Sequence, residues 1–425
     1  MTIVSRSIFL SAVTLLMMQP LPSLSASGAE VDALNLESDM SAAAEGTRDT
    51  KLFVEGAVGN ASQRYKSSSV NTSRASIDFT HTERLALGWR GVISDRFDQI
   101  HPRDAGLDES VNSLREAYIS WQSDDGGVIA EAGRINLRYG PSYGYNPTDF
   151  FRDGSLRAVT TADPFALREN RLGTVMLRAQ SLWAGGSLSV AFAPKMADNP
   201  SQDTWSLDLG STNNRDRALV VLGSQFSQRV SSQFFVYKQD GLSSALGANL
   251  TALLSDAAVA HLEWSRSKES DLLSRVAGLP TSTSTRNRFA GGATYTTLSK
   301  LSVTAEYEYN GFAPDKPDWS APGMGGALAQ QAYLSESLRL QELASRQAYL
   351  VYVTQKGLFL KDLDLTAYLR VNMGDSSRLA WLELRHHWAK FDLTFQLQQN
   401  MGRTGSDFGS LPDRRAMQVL GTYFF

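Results

Sequence analysis

The feature that most constrains the fold of this 425-residue chain is an alternation of apolar and polar residues that recurs along most of its length. The alternation is clear in the segments 74–80, 258–265, 301–309, 363–372 and 391–398. Successive side chains of a β-strand point to opposite faces of the sheet, so each of these segments has one apolar face and one polar face. The sequence therefore predicts a protein built from strands that separate an apolar environment from a polar one.

The connections between the predicted strands alternate in length. The short connections are 82–83, 123–127, 184–186, 228–231, 255–256, 297–300 and 389–390, and the long ones are 60–70, 95–111, 140–169, 194–216, 267–286, 311–346 and 400–412. Two connections fit this rule less well, because 239–244 is short for the long-loop side and 354–362 is long for a turn. Short turns at one rim and long loops at the other are typical of outer-membrane β-barrels.

We therefore predict an all-β fold, a transmembrane antiparallel β-barrel with roughly 18 strands, or about 16 as the close alternative. The short turns of such a barrel are periplasmic and the long loops are extracellular. Soluble sandwiches also show alternating strands, but they have no reason to sort their connections by length. The barrel prediction therefore depends on the connections more than on the alternation.

The composition agrees with this fold and excludes several functions. Hydrophobic residues make up only 42% of the chain, as expected when half of every strand faces a polar lumen. A formal net charge of -3 argues against a dedicated nucleic-acid binder, which would be basic. The absence of cysteine excludes disulfide scaffolds, thiolate metal sites and thiol nucleophiles. We predict no cofactor and no metal site.

The N-terminal region indicates export. Arg6 precedes an apolar run over residues 8–18, which is too short to span a bilayer, and small residues follow it. This is the pattern of a cleavable signal peptide, predicted over residues 1–29. The segment 30–49 is rich in alanine and acidic residues and is predicted to be a periplasmic tail or short helix. The barrel itself is predicted to occupy residues 50–425.

The last predicted strand carries a second export signal. Tyr423 and the terminal Phe425 share one face of that strand, and this ending resembles the targeting signal of bacterial outer-membrane barrels. Aromatic rings are favoured at the level of the lipid headgroups, and Trp121, at the end of another strand, is predicted to join the same periplasmic belt. The predicted location is the outer membrane, and the predicted partners include its lipid, lipopolysaccharide and the barrel assembly machinery.

The polar stripe of each strand is predicted to line the lumen, which contains water in a barrel of this size. The predicted lining residues are Arg74, Glu116, Tyr118, Arg134, Asn136, Arg138, Arg178, Glu263, Arg288, Glu306, Glu308, Arg370, Asn372 and Gln396. Charges of both signs are present, so they either pair with one another or guide a charged, hydroxyl-rich solute. Glu131 is an exception, because alternation in its strand places it with Ile129 and Ile135 toward lipid.

One region resembles a known group of barrels. It contains Leu114 to Trp121, the segment Gly133-Arg134-Ile135-Asn136-Leu137-Arg138, and the turn Asn146-Pro147-Thr148-Asp149 with Arg152. These motifs resemble the alginate-export and related uncharacterised porin-like families of Gram-negative bacteria, over roughly residues 114–177. The resemblance implies a transport barrel for a polysaccharide or another hydrophilic solute. It also implies that Arg134 and Arg138 line the path, and that Asn146, Asp149 and Arg152 lie near the extracellular constriction.

The residues of this region also have a simpler interpretation. Asn146 and Asp149 suit a turn, because such side chains bond backbone N–H groups. Four arginines follow in or near that turn, and they could either latch the loop by ion pairs or contact lipopolysaccharide phosphates; they are Arg152, Arg157, Arg168 and Arg171.

The function predicted from the sequence is an outer-membrane channel that passes a hydrophilic solute, such as a polysaccharide or oligosaccharide, through a charged, loop-gated lumen. The alternative is a barrel without transport that acts in adhesion or structure through its extracellular loops. A helix is predicted over residues 327–346 in the longest loop, either inside the mouth or capping the rim. An enzyme is not predicted: adjacent strand residues such as His386 and His387 point to opposite faces, and no serine is placed to pair with a histidine. The sequence leaves the oligomeric state open.

Overall fold

The computed structural model describes residues 48–64, 68–102, 108–276, 278, 282–316, 318–319 and 325–425. The predicted signal peptide and the predicted tail up to residue 47 lie outside the described residues.

The chain forms one 18-stranded antiparallel sheet in which every strand pairs with its neighbours in the sequence and the first strand pairs with the last. The strands are β1 (Arg48–Gln63), β2 (Ser69–Ala86), β3 (Trp89–His101), β4 (Ser110–Gln122), β5 (Val128–Ile135), β6 (Thr174–Trp183), β7 (Gly186–Ala193), β8 (Arg217–Ser227), β9 (Val230–Gln239), β10 (Ala245–Ser255), β11 (Ala258–Ser270), β12 (Thr283–Thr296), β13 (Leu301–Asn310), β14 (Gln347–Gln355), β15 (Leu363–Asn372), β16 (Arg378–His387), β17 (Phe391–Met401) and β18 (Asp413–Phe424). Closure through β1 and β18 removes the free strand edges, as a sheet must in lipid. The predicted fold class and the count of 18 strands are confirmed.

The first strands extend further than the sequence pattern indicates. Thr82 and Glu83, predicted as a turn because they are polar, pair with residues of β3 inside the sheet. The turn between β2 and β3 lies at Leu87 and Gly88 instead. Gly88 has φ +73°, a conformation that glycine adopts without steric cost.

The outer face of the barrel carries the predicted apolar stripe. Its exposed side chains include Val58, Ile77, Leu177, Val190, Val220, Phe234, Val236, Leu250, Tyr349, Val351, Leu393 and Phe395. Every second residue of these strands faces outward, so together they form a continuous apolar surface around the closed sheet. Such a surface is stable against lipid and unfavourable in water.

The described parts of the long connections contain four helices: α1 (Pro164–Glu169), α2 (Leu209–Thr212), α3 (Leu272–Val276) and α4 (Ala327–Arg339). None of the helices in the described ranges is long and apolar enough to cross a membrane. The helix predicted over 327–346 begins at Ala327 as expected but ends at Arg339, because Gln341 has a left-handed φ of +52°. α4 packs against α3 through the buried Tyr333, beside the mouth of the barrel.

Part of the barrel interior is an apolar core. Leu219 and Val221 of β8 and Phe235 of β9 face inward and are almost completely buried. They pack against residues of the connection between β5 and β6, among them Leu137 and Phe151. Part of the wall formed by β6 to β10 is therefore apolar on its inner face as well as on its outer face, and protein fills the space beside that part.

Candidate functional site

The connection between β5 and β6, residues 136–173, folds into the barrel, and we call it the inner loop. Its section from Tyr139 to Ser155 is mostly buried. One flank of the loop forms the apolar core with β6 to β10. The other contacts of the loop are polar and aromatic, and they reach strands on the opposite side of the barrel, so the loop crosses the lumen.

Glu263, on the inner face of β11, is the first anchor of the inner loop. Its Oε1 accepts hydrogen bonds from the Ser142 N–H at 2.7 Å and from Asn146 Nδ2 at 2.9 Å. Its Oε2 accepts one from the Thr148 hydroxyl at 2.9 Å. A buried carboxylate is tolerated only when donors surround it, and here the loop supplies all of these donors.

Glu306, on β13, is the second anchor. It accepts the backbone N–H groups of Tyr143 at 2.7 Å and of Gly144 at 2.9 Å. His261 Nε2 lies 2.6 Å from Glu306 Oε1, and the Tyr143 ring stacks on the imidazole at 6.0 Å between centroids. Two wall carboxylates therefore hold consecutive peptide groups of the loop.

The inner loop also contacts the long connection between β13 and β14. Glu342 of that connection accepts the Tyr145 hydroxyl at 2.5 Å and pairs with Arg152 at 2.7 Å. Arg288, on the inner face of β12, approaches the same carboxylate at 3.1 Å. The two long loops and the wall thus meet at one carboxylate. The inner loop crosses the lumen, and the 311–346 connection contacts it there.

Arginines close the base of the inner loop. Arg171 binds both oxygens of Asp149, at 2.7 and 3.0 Å, and its Nε donates to Asn136 Oδ1 at 2.7 Å. Arg168 Nε lies 3.9 Å from Asp149. Arg157 donates to backbone oxygens of β4 and of the connection between β7 and β8. These arginines therefore hold the loop in place through contacts within the protein, which is the first of the two roles considered for them.

Aromatic side chains on the inner face of β14 to β16 support the tip of the loop. Tyr352 and Tyr368 stack at 6.2 Å, and Trp381 lies 5.7 Å from Tyr368. Phe165 of α1 rests 5.4 Å from the Tyr352 ring, and the Tyr368 hydroxyl donates to the Ala162 carbonyl at 2.7 Å. The loop therefore reaches the wall that lies farthest from its own stem.

A buried ion-pair network lines the inner face of β1 to β4. Arg96 contacts Glu55 at 3.1 Å, Asp78 at 3.3 Å and Asp98 at 3.0 Å. Arg115 binds both oxygens of Asp78, at 2.8 and 2.5 Å. Each charge in the network has an opposite charge beside it, which offsets the cost of burial.

These two walls also carry polar side chains beside the inner loop. Arg74 of β2 pairs with Glu55 at 2.5 Å and donates to the Thr160 carbonyl at 2.8 Å. On the other side, Glu383 of β16 accepts from Gln396 Nε2 at 2.6 Å and pairs with Arg385 at 2.8 Å. The Arg385 side chain stays 42% exposed, in contrast to the buried side chains under the apolar flank of the loop.

Most residues predicted to line the lumen do project into the barrel. Those on the inner face of the strands are Arg74, Glu116, Tyr118, Arg178, Glu263, Arg288, Glu306, Glu308, Arg370, Asn372 and Gln396. Many of them hold the loop or pair with one another: Arg370, for example, binds Glu308 at 2.7 Å. Asn136 and Arg138 belong to the inner loop rather than to a strand, and the Arg138 side chain is exposed.

Arg134 departs from its predicted position. It pairs across the sheet with Ala117 and Val175, which face outward, so its side chain lies on the outer side of the wall. There it donates to the Leu114 carbonyl at 3.1 Å and to the Leu207 carbonyl of the connection between β7 and β8. Arg134 therefore does not line the lumen but fastens an extracellular loop over the short strand β5.

The prediction for Glu131 was wrong in the opposite direction, because this residue was expected to face lipid. It faces inward and binds Arg178 of the neighbouring strand at 3.0 Å. Ile129 and Ile135 face inward as well, and Ile135 belongs to the apolar core. Alternation alone assigned these residues to lipid, because it cannot anticipate that the lumen contains an apolar core beside β5.

The sequence pattern missed Arg115. Ser94 and Asp95 of β3 pair with Glu116 and Leu114, so Arg115 is the extra residue of a β-bulge and points inward next to Glu116. The sequence does contain a signal for the bulge. Leu114 and Ile119 are both apolar but lie an odd number of positions apart, and in the structure both face outward. Such a change of phase within a strand requires an inserted residue.

The loop and belt residues lie as follows. Asn146, Asp149 and Arg152 all belong to the buried section of the inner loop. Tyr423 and Phe425 are exposed on the outer face at the short-turn rim, with their rings 5.1 Å apart. Trp121 pairs with Trp89 across the sheet at the same rim.

No family model and no curated protein matches the sequence. The structure of OccAB1 from Acinetobacter baumannii has a TM-score of 0.58 at 10% identity, covering 90% of this chain and 98% of that one. OpdQ from Pseudomonas aeruginosa has a TM-score of 0.56 at 9% identity, covering 90% and 99%. OccAB4 from Acinetobacter baumannii has a TM-score of 0.55 at 10% identity, with the same coverages as OpdQ. These similarities show a shared barrel fold, and the resemblance to alginate-export barrels stays a prediction.

Proposed function

We propose that the protein is an outer-membrane channel that passes small hydrophilic solutes beside the inner loop. The observation that carries the proposal is the unequal filling of the lumen. On the side of β6 to β10 the loop and wall form an apolar core, with Leu219 only 1% exposed. On the side of β16 to β18 and β1, beyond the aromatic cluster, polar side chains such as Glu383, Gln396 and Glu55 project inward, and Arg385 keeps a large exposed surface.

The proposed passage runs between the loop segment 159–163 and the inner wall from β16 to β2. The polar side chains of that wall that would line it are Glu55, Arg74, Glu383, Arg385, Gln396 and Gln418. Gln418 donates to Gln396, which donates to Glu383, so amide and carboxylate groups form a continuous polar strip. A single-sign ring would select ions, whereas this mixed lining favours uncharged, hydroxyl-rich or zwitterionic solutes.

We infer that the inner loop is a fixed constriction. Buried hydrogen bonds to Glu263 and Glu306 hold it on one side and the Arg171–Asp149 pair holds its base. A short oligosaccharide suits the polar strip. Export of a long polysaccharide requires more lumen than a loop that crosses the barrel leaves open, so it is the less favoured substrate.

A substitution at Val159 tests the passage. This side chain is 58% exposed on the loop segment that borders the proposed passage. Val159→Trp is expected to lower single-channel conductance in planar bilayers at least about twofold. The indole ring is larger than the valine side chain and would occupy part of the proposed passage. The matched control is Leu328→Trp on α4, where the replaced residue is 84% exposed outside the passage.

The same recordings separate the channel from the alternative of an adhesive or structural barrel. A channel gives conductance steps with the unmodified protein, and liposome swelling ranks sugars by size. Complete absence of steps in correctly folded protein, even after the segment 141–169 is replaced by a short Gly-Ser linker, would contradict the channel proposal. Equal conductance of the Val159→Trp variant and the unmodified protein would show that the passage does not run beside Val159.

A further inference from the structure

Two neighbouring turns at the short-turn rim expose large apolar side chains. Leu298, in the turn 297–300 between β12 and β13, is completely exposed. Phe359 and Leu360, in the turn 356–362 between β14 and β15, are 93% and 57% exposed. The turns are in contact, because Gln355 Nε2 donates to the Ser299 carbonyl at 2.7 Å. We call this pair of turns the foot.

One residue of the foot, Phe359, has an unfavourable backbone conformation although its side chain is exposed. Phe359 has φ +59°, and the Leu360 N–H donates to the Leu358 carbonyl at 2.6 Å across it. A three-residue turn with positive φ at its centre is strained for a bulky side chain. The strained residue presents its ring to the surroundings instead of packing it, so neither backbone preference nor burial in the protein accounts for phenylalanine there.

The surroundings of the foot indicate what covers it. Tyr295 is exposed on the outer face of β12 and pairs with Val303, which pairs with Val353. The foot therefore continues the lipid-facing surface of the barrel past the ends of the strands. Its apolar residues are extensions of a surface that already faces acyl chains.

The charges of the foot have one dominant sign. The two turns contain Lys300, Lys356 and Lys361 against a single acidic residue, Asp362. Lys300 and Lys361 are exposed beside the apolar tips. Lysine stems lie along apolar surfaces while their ammonium groups stay at the headgroup level, and anionic headgroups attract them. The turn 123–127 at the same rim differs, since it carries Asp124 and Asp125.

We propose that the foot inserts into the periplasmic leaflet of the bilayer and binds an anionic phospholipid between Lys300 and Lys361. Leu298, Phe359 and Leu360 contact the acyl chains, and the two ammonium groups contact the phosphate. The inference rests on the barrel lying in a bilayer and not on solute transport.

Single-site labelling tests the insertion, because the chain contains no native cysteine. Leu298→Cys carries an environment-sensitive fluorophore in vesicles of phosphatidylcholine with phosphatidylglycerol. The matched control is Asp125→Cys in the acidic turn between β4 and β5, which is exposed at the same rim. We expect quenching by spin-labelled lipid at the foot and by aqueous iodide at the control. Quenching of the foot by iodide alone would overturn insertion and would favour a soluble partner protein.

Lipid preference tests the binding. Native mass spectrometry of the barrel released from mixed vesicles measures retained phosphatidylglycerol relative to phosphatidylcholine. The Lys300→Gln, Lys361→Gln double variant is expected to lose roughly fivefold preference for each lysine removed. Lys390→Gln, in the turn between β16 and β17, is the control and should retain the preference. Equal retention of both lipids by the unmodified barrel, or an unchanged preference in the double variant, would overturn the anionic site whether or not the channel conducts.

Discussion

At the residue scale, the buried charges of the lumen act mainly as fasteners. Glu263, Glu306 and Asp149 each receive donors from two or more groups, and the inner loop provides most of them. A charge that hydrogen bonds hold in this way is unavailable to a solute. The residues open to a solute are the partly exposed ones, such as Arg385.

Arg171 provides the first prediction at this scale. Arg171→Met leaves Asp149 buried without its main partner, and breaking a buried pair in this way costs about 3–5 kcal/mol. The loss is expected to undock the inner loop, because the pair ties Asp149, in the buried section of the loop, to Arg171 at its end. The rate of limited proteolysis of the loop in detergent micelles measures the undocking. Arg339→Met, which removes an exposed pair with Glu336, serves as control and should change the cleavage rate little. Equal cleavage of the two variants would contradict the latch.

Asp163 provides a pH prediction. Burial and the neighbouring Glu383 raise the pKa of Asp163 to about 7 from its ordinary value of 3.8. The docked loop therefore favours the protonated carboxyl, and this contribution to docking is lost as the pH rises from 3.8 to about 7. We expect faster proteolysis of the loop at pH 8 than at pH 5, after normalisation to an unfolded substrate. Asp163→Asn should remove most of the difference, and an unchanged pH dependence would exclude Asp163 as its source.

At the element scale, the inner loop and the 311–346 connection have different tasks. The inner loop crosses the lumen and contacts the inner faces of β2, β8, β11, β13 and β14. α4 packs on α3 at the mouth, and its connection reaches the inner loop mainly through Glu342 and Gln341. In the proposed channel the inner loop would limit the passage, and the 311–346 connection would support it.

Loop replacement distinguishes these tasks. Replacing residues 141–169 by a short Gly-Ser linker is expected to raise single-channel conductance severalfold, because a barrel of 18 strands is wide when nothing fills it. Removing 325–339, which contains α4, should change conductance much less. The comparison is made in planar bilayers at one salt concentration. A larger increase from the second deletion would show that the mouth, and not the inner loop, limits the current.

At the scale of the whole molecule, the barrel is a closed ring whose first and last strands meet. Val58 of β1 and Val419 of β18 lie directly opposite each other and are exposed on the outer face. Opposed residues of antiparallel strands have Cα atoms about 4.5–5.5 Å apart, within the range that a disulfide can bridge. Their separation in sequence is almost the whole length of the chain.

An engineered disulfide tests this closure. Val58→Cys with Val419→Cys should cross-link on oxidation and give a covalent ring that migrates differently from the reduced chain after boiling. Val58→Cys with Val236→Cys is the control, because β9 lies elsewhere in the ring. Efficient cross-linking of the control, or none of the first pair in folded protein, would contradict the register of β1 and β18.

The sequence by itself determined the class of fold and the sorting of turns and loops, and it limited the number of strands to about 18 or 16, of which the structure has 18. A membrane barrel requires one lipid-facing side chain in every two along each strand, so the constraint is local and visible in the sequence. The inward position of residues such as Glu306 and Arg370 follows from the same rule. The terminal aromatic residues are equally local, because their environment depends only on depth in the bilayer.

The tertiary structure alone decided what occupies the lumen. Ser142 and Glu263 are 121 positions apart in the sequence, and their hydrogen bond exists only because the inner loop crosses the barrel. The same crossing brings the inner loop against the wall and forms the apolar core in which the inward-facing Ile135 is buried. The bulge at Arg115 depends on the pairing of β4 with β3. Alternation reports which face a side chain takes in a regular strand, but not what that face meets, because contacts between distant segments have no period in the sequence.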